Sequence, residues 1–395
     1  MLPKISQRII QEPSAMDELL ALSSQCQRIS FAAGYPAAEL FPKKELEEAF
    51  VHRSQASKDD LYQYASVAGY GPLRKKLATK AQTTGITDID ENNICLTQGA
   101  QQGISLLADL FLDVDDGVVV EGPSYIGAIQ AFESRKPRFY EMEMLNDGPD
   151  LDQLEEIVSS HSVKIVYTIP TFQNPTGVCM SVAKRKRLAR MAEKYNFLVI
   201  EDDPYRDLRY QGKDLPSIKS FDRTGNVVML GSFSKILAPA LRVGWLVADQ
   251  EVLDLVNKLR SASDFQPSNV TLQMIDQFLE ENSLSAHIQR LRQVYGRRAA
   301  TMQAALEEYL PQGCSYSRPE GGFFIWVTLP QGLSAGKLLQ DGRPVTFIES
   351  SQLYAASQRA DQLRLNFTGV SEEQIREGCQ LLGQAITKER WALTA

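Results

Sequence analysis

An α/β fold built on a mostly parallel sheet is what this 395-residue sequence predicts, and three observations carry the prediction. Short apolar runs recur as "VVVEG", "KIVYTIP", "FLVIED", "VVMLGS" and "VGWLVA". Near-continuous runs of this kind mark strands buried on both faces. Between them lie segments such as "QQGISLLADLFL" and "VAKRKRLARMAEKYN", whose apolar positions return every three or four residues, the helical period. Alternation of the two patterns implies helices that connect the strands and cover the sheet. The chain is also long enough for one large body with a smaller one appended.

Taken in order, residues 1–45 read as an arm. It holds a short helix, "SAMDELLAL", and a Gly/Pro-rich stretch, "FAAGYPAAELFP", suited to lie over a site rather than inside a sheet. Residues 46–285 contain the apolar runs and form the large α/β domain. The long helical pattern "SLSAHIQRLRQVYGRRAATMQAALEEYL" follows, then the strand-like "GGFFIWVTLP" and "QLRLNFTGV". These make a smaller α+β domain over residues 286–395, to which the arm contributes.

Composition narrows the partners. A net charge of -7 and the lack of a long Lys/Arg block argue against nucleic acid. The most apolar window, "VVMLGSFSKILAPALRVGWLVA", carries Lys235, Arg242, two serines and a proline, which argues against a membrane span. The opening "MLPKISQRII" has no sustained apolar segment, so a cytoplasmic protein is expected. Cys26, Cys95, Cys179, Cys314 and Cys379 show neither metal spacing nor a disulfide framework and are expected to be core thiols. His52, His161 and His287 form no ligand-spaced cluster, so no metal is expected. A small-molecule partner remains.

In open parallel sheets ligands sit beyond the carboxyl ends of the strands, and four of those ends carry unusual polar residues. In "LTQGAQQGI", Gly99 lets the chain turn closely while Ala100 and Gln101 open a helix whose free N–H groups suit a phosphate. Alone, that is a simple strand-to-helix turn. In "FLVIEDDPYRDL" a strand runs into Asp202, a carboxylate able to pair with a protonated ring nitrogen, although a solvated acidic turn would look the same. In "YTIPTFQNPTGVCM", Asn174 offers a carboxamide among ordinary turn formers. In "VVMLGSFSK", Ser232 and Ser234 precede Lys235. Desolvation and a nearby cation such as Arg242 would depress the lysine's pKa and free its amine to form an imine with an aldehyde. The plain alternative is a snorkelling surface lysine. Together the four ends describe one ligand with an aldehyde, a phosphate, a basic ring nitrogen and a phenolic oxygen, and pyridoxal 5'-phosphate has all four.

With "GAQQG", "EGPSY", "NPTG", "DDPY", "SFSK", "RVGW" and "LRLNF" in this order, almost the whole chain resembles the fold type I pyridoxal-phosphate-dependent aminotransferases, class I/II, in the branch of the 2-aminoadipate and kynurenine enzymes. That resemblance implies a large domain with a mostly parallel sheet sandwiched by helices and a smaller α+β domain. It implies that Lys235 anchors the cofactor and shuttles the substrate's proton, and that Asp202 keeps the ring nitrogen protonated. Asn174 and Tyr205 would donate to the phenolic oxygen, and Tyr125 would stack on the ring. The phosphate would be held by Gly99, Ala100, Gln101, Ser232, Ser234 and Arg242. Arg364 would grip the substrate α-carboxylate, beside Gly34 of the arm and Asn174. Tyr64 would reach the phosphate of a neighbouring subunit, making the active unit a homodimer with shared sites. An L-amino acid and a 2-oxo acid would be the substrates, in a ping-pong exchange.

One departure bears on the donor. Some 2-aminoadipate-type relatives offer an arginine from the N-terminal helix to a second carboxylate, whereas Asp17 stands at the similar place here. A neutral, aromatic or basic donor is therefore expected. Lyases, oxidases and synthases use the same cofactor constellation and are the rival enzymes. A PLP-sensing regulator is the rival outside enzymology, and no winged module is visible ahead of the α/β body in this sequence.

Overall fold

The apolar runs become the inner strands of an eight-stranded sheet. The computed structural model describes residues 29–56, 60–339 and 345–394. Asp17, Cys26 and the "SAMDELLAL" segment lie outside those residues. The described chain opens with β1 (Ile29–Ser30), α1 (Lys43–Ala56) and α2 (Gly71–Gln82). Next come β2 (Ile94–Thr97), α3 (Ala100–Phe111), β3 (Gly117–Gly122), α4 (Ile126–Glu133), β4 (Arg138–Leu145) and β5 (Gly148–Pro149). After these follow α5 (Leu151–Ser160), β6 (Val163–Thr168), α6 (Val182–Tyr195), β7 (Leu198–Asp202), β8 (Val227–Ser232) and β9 (Gly244–Val247).

Across the sheet the order is β2-β9-β8-β7-β6-β3-β4-β5. Strands β8, β7, β6, β3 and β4 run parallel, so their carboxyl ends share one rim. Strand β9 departs from that direction and pairs antiparallel with both β8 and β2. The reason lies in its connection: residues 233–243 contain one 3-10 turn, Pro239–Leu241, and no α-helix. A parallel return needs a long crossover, so the chain doubles back instead and leaves Lys235 on the rim. Strands β2 and β4 were not among the apolar runs. The first has four residues, and in the second Met142 alone is buried, as befits a strand near the sheet's edge.

Gly231 of β8 faces Trp245 of β9 across the ladder, and a Cβ there would lie 2.2 Å from the indole Cε2. Overpacking of this kind costs ~1–3 kcal/mol. Gly231→Ala is therefore expected to lower the thermal midpoint by several degrees, and an unchanged melting curve would refute the packing described here.

Helices α7 (Gln250–Ser263), α8 (Asn269–Glu281) and α9 (Leu284–Tyr309) lead to the second body. Its antiparallel sheet has the order β10-β11-β14-β13, formed by β10 (Ser315–Tyr316), β11 (Phe324–Thr328), β13 (Ile348–Glu349) and β14 (Gln362–Asn366). Helix α10 (Glu372–Thr394) packs along α9. Strand β1 pairs in parallel with β12 (Val345–Thr346), so the arm is stitched to the C-terminal part of the chain. Among the described residues no helix is long and apolar enough to cross a membrane.

Candidate active site

The carboxyl rim of the large sheet, the arm and the small sheet enclose a cavity of about 250 Å³. Ala100, Gln101, Tyr125, Asn174, Asp202, Tyr205, Ser232, Ser234, Lys235 and Arg242 line it from the larger body. Gly34 reaches it from the arm and Arg364 from β14. Residues far apart in sequence are thus brought together. Tyr64 is not among them: its side chain is 77 % exposed, with the ring edge-on to Phe265 at 5.4 Å.

Lys235 Nζ donates to Gly34 O at 2.9 Å. Burial lowers its pKa to about 8, helped by the positive charges of Arg364 and then Arg242, with Asp202 opposing. The depressed amine follows the desolvation argument, but the stronger cation is Arg364 rather than the neighbouring Arg242. Two positive groups and an enclosed wall make a free amine accessible near neutral pH.

Asp202 ends β7 and is buried. Its Oδ2 accepts from the Tyr167 hydroxyl at 2.7 Å, while the buried Oδ1 has no hydrogen-bond partner among the described residues. Burial raises the carboxyl pKa to about 7; the Tyr167 bond and Lys235 oppose the shift, and Asp203 adds to it. Tyr167 was missed at the sequence level because it sits inside an apolar run and reads as one more core aromatic. Its place one residue before the end of β6 was the available signal.

Opposite these groups, Arg364 Nη1 donates to Asn174 Oδ1 at 2.8 Å and Nη2 donates to Ala32 O at 2.6 Å. Its buried Nε has no partner among the described residues. The guanidinium lies over Phe324 at 4.3 Å, and burial lowers its pKa to about 10, still cationic at neutral pH. Burial also pushes the Tyr125 hydroxyl up to about 12 and raises that of Tyr205, so both remain proton donors.

At the far end, Gly99, with φ +81°, stands just before α3 and offers it no side-chain cap. A Cβ at Gly99 would come within 2.6 Å of Arg242 Nη2, so glycine lets the guanidinium press against the helix start. Arg242 Nη2 donates to Gln98 O at 3.0 Å, and Ser234 N donates to Ser232 Oγ at 3.1 Å. Open N–H groups, two hydroxyls and an arginine make this an anion cup.

A rim-mounted lysine, a buried carboxylate with one oxygen lacking a partner among the described residues and a helix start beside an arginine and two hydroxyls make a pocket suited to a phosphorylated carbonyl compound. The family model for aminotransferase class I and II matches residues 28–382, and the chain belongs to that family and is an aminotransferase. Aromatic-amino-acid aminotransferase 1 of Thermococcus litoralis is 36% identical over 95% of this chain and 92% of its own length. The 2-aminoadipate transaminase of Thermus thermophilus is 37% identical over 95% of this chain and 94% of its own. The kynurenine aminotransferase of Pyrococcus horikoshii superposes with a TM-score of 0.93 at 36% identity, covering 98% of this chain and 97% of that one.

Proposed function

We propose that this aminotransferase uses pyridoxal 5'-phosphate and moves the amino group of a neutral, aromatic or basic L-amino acid to a 2-oxo acid. The observation that carries the cofactor assignment is the unpartnered Oδ1 of Asp202 in the same cavity as the Lys235 amine. The residues fit the group: an unused carboxylate oxygen for a ring N–H⁺, an amine for the aldehyde and an anion cup for the phosphate. When bound, the cofactor supplies a carbonyl for the substrate amine and an electron-withdrawing ring. Asp202 holds the ring nitrogen cationic, with Tyr167 fixing the carboxylate's orientation. Arg242, Ser232, Ser234 and the start of α3 bind phosphate, Tyr125 covers the ring, and Asn174 and Tyr205 serve its phenolic oxygen. Arg364 would orient the substrate through its α-carboxylate, and Lys235 Nζ would take the proton from the substrate α-carbon and deliver it to the carbon that carried the cofactor's carbonyl. The same reading makes the active unit a homodimer in which exposed Tyr64 reaches a neighbouring phosphate, and places the reaction in the cytoplasm.

The donor preference is supported by the cavity's charges. Among the described residues lining it, Lys235, Arg242 and Arg364 are the cations, and each already has a task. Ala32, Ala33, Ile126 and Phe324 leave an apolar wall for the side chain. Asp17 lies outside the described residues, and the preference rests on this wall. The names of the aromatic and kynurenine relatives agree with it. A panel of donors tests it: kcat/KM for aromatic and other neutral amino acids is expected to exceed that for glutamate and 2-aminoadipate by about tenfold or more. The reverse order would overturn the preference, and release of ammonia or consumption of oxygen in place of exchange would favour a lyase or an oxidase.

A further inference from the structure

A buried carboxylate that the chemistry above does not use lies beneath the loop carrying Asn174. Glu121, in β3, is fully buried. Its Oε1 accepts from Thr168 Oγ1 at 2.5 Å, Ile169 N lies 3.3 Å from both oxygens, and Oε2 accepts from Gln173 Nε2 at 3.0 Å. Gln173 is pinned in turn. Its Nε2 also donates to Pro123 O at 2.8 Å, and its Oε1 accepts from Thr176 N and Thr176 Oγ1, each at 2.7 Å. Its backbone closes the loop, with Gln173 N donating to Val178 O at 2.8 Å and Gln173 O accepting from Gly177 N at 2.7 Å. The next residue, Asn174, presents the Oδ1 that receives Arg364 Nη1.

Three groups converge on two oxygens, and two of them, Ile169 N and Gln173 Nε2, can only donate, so a carboxylate satisfies the arrangement more fully than a carboxamide. With glutamine at 121 the Thr168 hydroxyl could turn to accept, but Ile169 N lies 3.3 Å from both oxygen positions, so whichever way the amide turned its N–H₂ would face that backbone donor in a site without solvent. A purely structural core position would be filled by an apolar side chain without the cost of burying a carboxyl group. The burial of Glu121 makes sense if it fixes geometry at the site above it.

We propose that Glu121 is a positioning residue for the substrate-carboxylate clamp: it holds Gln173, Gln173 holds the loop that presents Asn174 Oδ1, and Asn174 aims the guanidinium of Arg364. The inference rests on the assignment of Arg364 to the substrate α-carboxylate. Amino donor and 2-oxo acid share that carboxylate, and they bind through it equally in the ground and transition states. Misaiming the clamp therefore weakens binding of both and leaves the chemical step largely intact.

The test is steady-state kinetics with both substrates on Glu121→Gln, repeated in an Asn174→Ala background. Glu121→Gln is expected to raise both KM values by about tenfold with kcat changed less than about twofold. In the Asn174→Ala background it is expected to add nothing, because the two changes act on one chain of contacts. Gln173→Met, which keeps the buried carboxyl group, serves if Glu121→Gln fails to fold and is expected to show the same split. Unchanged KM values, a fall in kcat as large as the rise in KM, or effects that multiply in the double variant would overturn the inference while wild-type exchange stands. A wild type with no amino-group exchange would overturn both it and the reading it rests on.

Discussion

Replacing Lys235 by alanine is expected to lower amino-group transfer by about 10⁴-fold or more, because in the proposed function it removes the cofactor's anchor and the proton carrier together. The measurement is a single-turnover half-reaction with excess donor, and a variant that keeps normal turnover ends the assignment. Lys235→Arg separates amine from charge: a guanidinium keeps the positive charge but never offers a free amine, so it is expected to be as inactive as alanine. Stability moves on a separate axis. The folded pKa of Lys235 is lowered to about 8, from the ordinary lysine value of 10.5. Between those values the unfolded chain binds more protons at this residue than the folded one, so the lysine contributes a rise in stability as pH increases through that window. Cofactor-free Lys235→Ala lacks that rise, so its thermal midpoint gains on the wild type below pH 8 and loses the advantage towards pH 10.5.

How much of this was legible depended on where a residue sits. The runs containing β3, β6, β7 and β8 could be read because those strands are buried on both faces and admit few polar side chains until they end. Lys235, Asp202 and Asn174 stood out for the complementary reason, as polar groups where an apolar run stops. Strand β4 was not legible, since it lies next to the two-residue edge strand β5, only Met142 in it is buried, and "RFYEMEML" has no continuous apolar run. The reversed direction of β9 follows from the missing crossover helix, a feature of the connection rather than of the strand. Tyr167 and Glu121 were hidden by their surroundings, one in an apolar run and the other beside Tyr125 in "EGPSY", because their partners come from other strands and loops. The influence of Arg364 on Lys235 was hidden for the same reason: it exists only once β14 and the carboxyl rim of the large sheet meet at the cavity.

Asp202→Asn is expected to cut kcat by about 10³-fold, the upper range for removing one preorganised electrostatic partner. The change is nearly isosteric and leaves an oxygen to accept from Tyr167, so the local packing survives. It replaces the unused Oδ1, an acceptor for a ring N–H⁺, with an N–H donor. A donor at this position would favour the neutral form of a bound cofactor's ring nitrogen and so weaken the electron withdrawal that the cofactor would supply. Stability is expected to move the other way. Burial raises the folded pKa of Asp202 to about 7, while an unfolded aspartate titrates near about 3.9. Between those values the folded state binds more protons at this residue, so the wild type loses stability as pH rises through the window. Asparagine removes that loss, and Glu121, whose pKa is also raised to about 7 by burial, keeps its own share of it. The cofactor-free variant should therefore melt at or above the wild-type temperature at pH 8 while its kcat is about 10³-fold lower. Thermal melting of the cofactor-free proteins at pH 5 and 8, beside kcat for the reconstituted enzymes, checks both halves. A variant that loses stability in proportion to activity would mean that Asp202 holds the fold rather than the ring nitrogen.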